Sequence, residues 1–208
     1  MNFTKEKMFF DKFNTINKDV IMDAFYKWSN ENKKSSAITI ITTPTVRTVR
    51  KLMEEMSAEE YDKYHDKDNM FKGTKEQAVA EARQAALQLS RDKEVNIRTI
   101  NDECLIVYGT DRDQRNNGSS KAIFIYIVYV TPSARGKGYA GKLIRHVIKE
   151  WNDIYRNSTK PPMKLQITVF KVNKNAIMMY EHLGFEICYD TDKDTHWLME
   201  YKEKNKYK

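Results

Sequence analysis

Long apolar runs are missing from this chain: nowhere do its 208 residues approach the roughly 18 consecutive apolar residues of a membrane span. The start of the chain also lacks the apolar core of a secretory signal. A helical membrane protein is thereby excluded, and a cytoplasmic location is expected. Cysteine is scarce as well. Cys104 and Cys188 are the only two, with neither a CxxC pair nor clustered histidines beside them. Two reduced thiols are therefore expected, with no disulfide and no metal site. No internal repeat is visible. What is present, 40% hydrophobic and 31% charged residues, fits one folded domain with a modest extension. The net charge of +7 is scattered except for the Lys-rich tail at 202–208. Scattered charge without a binding motif argues against nucleic acid and leaves a basic ligand pocket as its simplest use.

Residues 123–130 form an unbroken apolar and aromatic run, as expected of a central strand covered on both faces. Pro132 stops it. Apolar residues then recur at 140, 143, 144, 147, 148 and 151, a helical stripe ending in Trp151. The turn between them sits at a helix N-terminus, where unpaired N–H groups and the positive dipole end favour an anion. Gly136 and Gly138 leave room for a phosphate to approach the main chain, and Arg135, Lys137 and Lys142 add positive charge. Taken alone, the segment also fits an ordinary strand-to-helix turn that happens to be basic.

A second segment changes the balance. Residues 164–170 read as another strand, followed by Asn175-Ala176, Tyr180 and Gly184-Phe185 at fixed spacing. Together with Arg135-x-x-Gly138-x-Ala140, this pattern resembles the GNAT superfamily of N-acetyltransferases, over about residues 123–201. The resemblance implies an α/β fold with a mixed, mostly antiparallel seven-stranded sheet flanked by helices. Two central strands would splay into a V that receives the pantetheine arm of acetyl-CoA. It also implies a set of cofactor contacts. The turn Arg135, Gly136, Lys137, Gly138, Tyr139 and Ala140 would hold the pyrophosphate. The main chain of Ile127, Val128, Tyr129 and Val130 would bond the pantetheine amides, with an N–H such as that of Val130 polarising the thioester carbonyl. Asn173 and Asn175 would reach the CoA arm, although a plain helix N-cap is an equal reading for Asn175.

The remaining segments fit that topology. Residues 1–36 are expected as a helical extension packed on the domain, 37–203 as the acetyltransferase domain and 204–208 as a basic tail. Residues 37–42 are a strand candidate, and Thr43-Pro44 opens a helix carrying Val46, Val49, Leu52, Met53 and Met56. Thr74-x-x-Gln77 reads as a capping box ahead of a stripe of Ala78, Val79, Ala82, Ala85, Ala86 and Leu89. Residues 96–101 and 104–110 form a hairpin about Asn101 and Asp102, and a polar loop follows with a turn at Asn116-Asn117-Gly118. Residues 185–189 and 196–201 form a second hairpin, with Trp197, Met199 and Tyr201 on one face.

Acyl transfer to an amine needs a deprotonated nucleophile, a stabilised oxyanion and a proton for the leaving thiolate. Tyr180 stands where the family often places the acid that protonates the thiolate, and a core tyrosine is its ordinary alternative. The base is harder to locate. Residues 123–130 hold no carboxylate and no histidine, so Tyr126 and Tyr129 carry the only polar tips there. Tyr129 is the catalytic candidate of the two, and would need a strongly lowered pKa or a water chain to act as base. Asp102 and Glu103 are expected at an exposed turn. Of the histidines, His146 and His182 are expected to be exposed, His196 lies on the last strand, and His65 is the one in the acceptor region. Between 51 and 70, seven carboxylates face three lysines, against the basic whole. A solvated helical face explains this, as does attraction of a cationic amine acceptor, small or on a protein. The resemblance permits a homodimer without requiring one. A non-catalytic acyl-CoA-binding module is the alternative function, favoured by the missing strand carboxylate.

Overall fold

The computed structural model describes residues 40–68, 73–113, 120–156, 163–190 and 195–203. The chain divides into two units, Met1–Thr39 and Ile40–Lys208. The expected N-terminal extension, the turn at Asn116-Asn117-Gly118 and the basic tail lie outside the described residues.

Among the described residues six strands form one sheet: β1 (Val95–Ile100), β2 (Cys104–Arg112), β3 (Lys121–Val130), β4 (Lys164–Phe170), β5 (Phe185–Asp190) and β6 (His196–Tyr201). Their order is β1-β2-β3-β4-β6-β5, antiparallel throughout except for the β3–β4 pair. The seventh strand, expected at 37–42, is represented among the described residues by one antiparallel bridge between Thr42 and Thr99. The β1–β2 hairpin turns where expected. Three residues, 101–103, join the paired Ile100 and Cys104, and Asn101 and Asp102 take φ of 54° and 53°, a left-handed pair that suits the twist of the flanking strands.

Among the described residues four α-helices, α1 (Val46–Asp68), α2 (Lys75–Leu89), α3 (Tyr139–Glu150) and α4 (Lys174–His182), cover the sheet. On one face, α3 and α4 bury Leu143, Ile144, Val147, Ile177 and Tyr180 against Ile106, Ile123, Ile125, Leu165 and Met199. On the other, α1 and α2 bury Val49, Leu52, Met53, Ala82 and Ala86 against Ile97, Leu105 and Val107. The capping box at Thr74 forms: its side chain accepts from the Gln77 N–H, and the Gln77 side chain accepts from the Thr74 N–H at 2.8 Å. Trp151 ends the α3 stripe, its indole N–H donating to the Met163 carbonyl at 2.7 Å.

Strand β3 departs from a regular run at its midpoint. Val107 stands opposite Ile127 and Tyr108 opposite Ile125, so Tyr126 is an extra residue, a β-bulge. One inserted residue reverses which way every later side chain points. Ile123 and Ile125 belong to the α3/α4 core, whereas Ile127 and Tyr129 pack into the α1/α2 core. The same point ends the pairing with β4, whose partners on β3 run only from Ala122 to Ile125. Strand β4 continues with β6 as far as Phe170, while β3 continues with β2 as far as Val130. The two central strands therefore part in a V. The expectation that 123–130 is covered on both faces holds for its first half only: Ala122 to Ile125 are buried, Tyr126 is exposed, and Ile127 and Val128 are half-buried.

Candidate active site

The mouth of the V is bounded by the turn after β3. Pro132–Ala134 make a single 3-10 turn whose Ala134 is fully buried. Gly136 and Gly138 then take φ of 81° and 74°, a conformation that disfavours any residue with a Cβ. A Cβ built on Gly136 would meet nothing within 4 Å, so the space beside that backbone is open. Gly138 caps α3 and has no side chain to occupy the first N–H groups. Those of Tyr139, Ala140 and Gly141 point out from the helix start, as the geometry of a first turn requires. An anion can be met there by main chain and dipole together.

The basic side chains are less free than the sequence suggests. The Arg135 guanidinium is clamped by Glu59 of α1, with Nη2 2.5 Å from Oε1 and closer still to Oε2, while its Nε donates to the Val130 carbonyl at 3.3 Å. Lys137 reaches Glu103 at 3.2 Å. Glu103 is therefore a half-buried partner of the turn, whereas Asp102 is exposed as expected. The ammonium groups of Lys137 and Lys142 each lie 5.8 Å from the Tyr139 ring centre. The Tyr139 hydroxyl accepts from the Asn101 amide at 3.2 Å, and the Thr131 N–H donates to the Glu103 carbonyl at 2.9 Å, so the first hairpin braces the turn.

Tyr129 is buried on the α1 side, and its hydroxyl donates to Glu59 Oε2 at 3.4 Å. Burial, then the charges of Glu59 and Glu55, push its phenol up to about 12. A base needs the opposite shift, so this geometry argues against Tyr129 in that role. Tyr180 lies in the α3/α4 core beside Phe185, ring centres 6.1 Å apart. Burial alone raises its phenol, which keeps the proton in place until something more basic arrives.

The cap of α4 is Asn173, whose Oδ1 accepts from the Ala176 N–H at 3.3 Å. The plain-cap reading of Asn175 is thus corrected: it sits inside the first turn with an exposed side chain. Two asparagines separated by one residue make this slip easy. His182 is exposed, but His146 is half-buried, with Nε2 3.2 Å from Glu150, correcting its expected exposure. The Glu150 carboxylate gathers His146 together with Tyr108 and Arg98. His65 falls on α1, and its side chain lies outside the described residues.

The acidic stretch on α1 is largely compensated. Glu54 accepts from Arg50 at 2.8 Å and Arg83 at 2.7 Å, and these hydrogen bonds, the one from Arg83 first, hold it below the usual carboxylate range. Asp62 takes Lys75 at 2.5 Å, and Glu59 takes Arg135. Glu60 is different. It continues the buried stripe of Met53 and Ser57 and precedes the buried Tyr64 by one turn. Burial, and secondarily Glu59, raise its carboxyl above the usual range against the pull of Lys63. In the sequence Glu60 is one of seven carboxylates between 51 and 70, set apart only by its spacing of seven from Met53 and four from Tyr64 on the apolar face.

Comparison with known proteins agrees with this geometry. The family description of an acetyltransferase (GNAT) domain matches residues 95–187. No curated protein matches the chain. Among solved structures, PH1933 from Pyrococcus horikoshii is similar at a TM-score of 0.58 and 14% identity, covering 79% of this chain and 98% of that one. The PaiA N-acetyltransferase of Thermoplasma acidophilum, solved in complex with coenzyme A, gives a TM-score of 0.53 at 14% identity, with 78% and 98% covered. A histone acetyltransferase HPA2 and related acetyltransferase structure from Corynebacterium glutamicum gives 0.52 at 18% identity, with 77% and 94% covered. At such identities the structural likeness speaks for the fold. With the parted β3 and β4 and the glycine turn at the start of α3 in place, residues 95–187 match an acetyltransferase (GNAT) domain, and the fold around them is similar to that of solved acetyltransferases.

Proposed function

We propose that the chain transfers the acetyl group of acetyl-CoA to a primary amine, by direct attack of the amine in a ternary complex. The observation that carries this reading is the parting of β3 from β4 beyond Ile125, with the open glycine turn at its mouth. The bound coenzyme A of the Thermoplasma relative supports the donor. In this reading the main chain of Ile127, Val128, Tyr129 and Val130 takes the pantetheine arm as a further strand. The N–H groups from Gly136 to Ala140 hold the pyrophosphate, and Asn175 hydrogen-bonds the arm across the cleft. Arg135 exchanges part of its contact with Glu59 for phosphate. Tyr180, protonated at neutral pH, gives its proton to the departing thiolate. Two free thiols, with no helix among the described residues long and apolar enough to cross a membrane, fit a cytoplasmic setting.

Calorimetric titration of acetyl-CoA into the full chain, beside the double variant Arg135→Glu/Gly138→Asp, tests the donor site. Release of free thiol with a panel of amines then tests transfer. Binding abolished in the variant and turnover with one amine class are expected. Absence of binding to the unaltered protein overturns the reading, and binding without turnover selects a non-catalytic acyl-CoA module instead.

A further inference from the structure

The missing base has a candidate outside the strand, and its position follows from three contacts along one helix. Helix α1 runs across the open end of the V. At Glu59 it is tied to the β3 side through Arg135 and Tyr129. One turn later Tyr64 meets the end of β4, its ring centre 5.1 Å from that of Phe170. Phe170 in turn lies 4.0 Å from the ring centre of His196 on β6. Glu60 is bracketed by these anchors. It sits one residue after the β3 contact and four before the β4 contact, on the same face as Tyr64.

Two further observations point to a ligand. Glu60 has no hydrogen bond or ion pair among the described residues, although Glu54, Glu59 and Asp62 on the same helix all do. The Tyr64 hydroxyl belongs to a residue only 4% exposed and has no hydrogen-bond partner among the described residues. A buried hydroxyl left unbonded is costly, as is a half-buried carboxylate without a partner. Both costs fall away if an ammonium or amine lies between them.

We propose that Glu60 is the proton acceptor for the amine substrate, and that Tyr64, with Phe170 behind it, forms the wall along which that amine enters. The inference rests on the acetyl-transfer reading above. The amine arrives as an ammonium ion, and Glu60 takes its first proton and passes it to solvent. The neutral nitrogen attacks the thioester carbon, so an N–C bond forms and the C–S bond breaks. The thiolate takes the Tyr180 proton, which the second proton of the substituted nitrogen replaces through solvent. The products are an amide, free thiol and one released proton. Placing the base on α1 also accounts for a β3 without carboxylate or histidine. The charged groups that act on Glu60 are Glu59 and Lys63 on α1; Arg135 and Tyr129 on the β3 side contact Glu59, and His196 at the β4 end stacks on the Phe170 ring that Tyr64 meets. The raised carboxyl leaves Glu60 a stronger base than an ordinary glutamate.

The test uses the full chain and its Glu60→Gln, Glu60→Asp and Tyr64→Phe variants. Acetyl-CoA binding by calorimetry and the melting temperature establish that each variant is folded and loads donor. Thiol release is then followed with a diaminoalkane, a lysine peptide with a free N-terminus, hydroxylamine and water alone. Expected for Glu60→Gln is a loss of about 100-fold or more with the protonated amines, measured above the rate with water alone. Hydroxylamine, already neutral at the assay pH, should retain most of its rate. Glu60→Asp should recover part of the loss, and Tyr64→Phe should raise KM more than it lowers kcat. The rise of kcat/KM with pH through the Glu60 carboxyl should vanish in Glu60→Gln. Equal loss with hydroxylamine, or retention of wild-type rates with the protonated amines, overturns the assignment while leaving acetyl transfer standing. Donor binding with no thiol release from any probe in the unaltered protein overturns both.

Discussion

A hydroxyl that must protonate a thiolate has to keep its proton until the C–S bond breaks. Tyr180 meets that condition through burial alone, without a charged neighbour to stabilise its phenolate. Tyr180→Phe is expected to lower kcat by about 10²-fold or more while leaving acetyl-CoA affinity within a factor of a few. A single-turnover assay beside calorimetry checks this, and unchanged turnover would remove the acid role. Tyr126 and Tyr129 provide a second, structural readout. Both phenols are pushed from 10.0 up to about 12, chiefly by burial and then by acidic neighbours, Asp111 for one and Glu59 for the other. The unfolded chain therefore releases these protons first. Above pH 10 it binds fewer protons than the folded chain, so stability falls as pH rises from about 10 towards 12, and these groups contribute no slope below that window. Denaturant midpoints measured across it should decline in the wild type, and less steeply in Tyr129→Phe.

At the scale of elements, local chemistry and long-range pairing separate cleanly. The Asn101-Asp102 turn, the Thr74 capping box and the glycine turn before α3 follow from residue types a few positions apart, so each was legible in the sequence. The bulge at Tyr126 was not. Residues 123–130 are apolar on both faces, so a one-residue shift leaves no break in their pattern. Glycine on a strand is easier to read once its neighbour is known. A Cβ on Gly109 of β2 would lie 2.5 Å from the carbonyl oxygen of Glu94, the residue just before β1. Backbone cannot yield there as a flexible side chain would. Gly109→Ala is expected to cost about 1–3 kcal/mol, read as a lower urea midpoint with an unchanged slope. Wild-type stability in that variant would show that the first hairpin can shift without loss.

Over the whole domain, the two faces of the sheet carry separate cores, and the cleft lies where the central strands leave one another. A ligand that fills this gap replaces missing strand pairing, so donor binding should stabilise the domain as a unit. At acetyl-CoA about 100-fold above its Kd the linkage is about 2.7 kcal/mol, or a rise in Tm of roughly 5–10 °C for a domain of this size. Thermal melts with and without acetyl-CoA read it directly. A rise preserved in Arg135→Glu/Gly138→Asp would mean that the stabilising contact lies elsewhere than the glycine turn.

By itself the sequence determined the element order, the glycine turn before α3, the spacing that places Tyr180 and the absence of a carboxylate from β3. These depend on residue type and on neighbours within a few turns of chain, where propensity and capping decide. Only the tertiary structure decided that Tyr126 bulges, that β3 and β4 part after Ile125, and that Asn173 is the cap instead of Asn175. The pairing of Arg135 with Glu59, 76 residues apart, and the isolation of Glu60 on α1 belong to the same class. Seven carboxylates look alike along a chain, and it is packing that pairs three of them with cations and leaves Glu60 half-buried without a hydrogen bond or ion pair among the described residues.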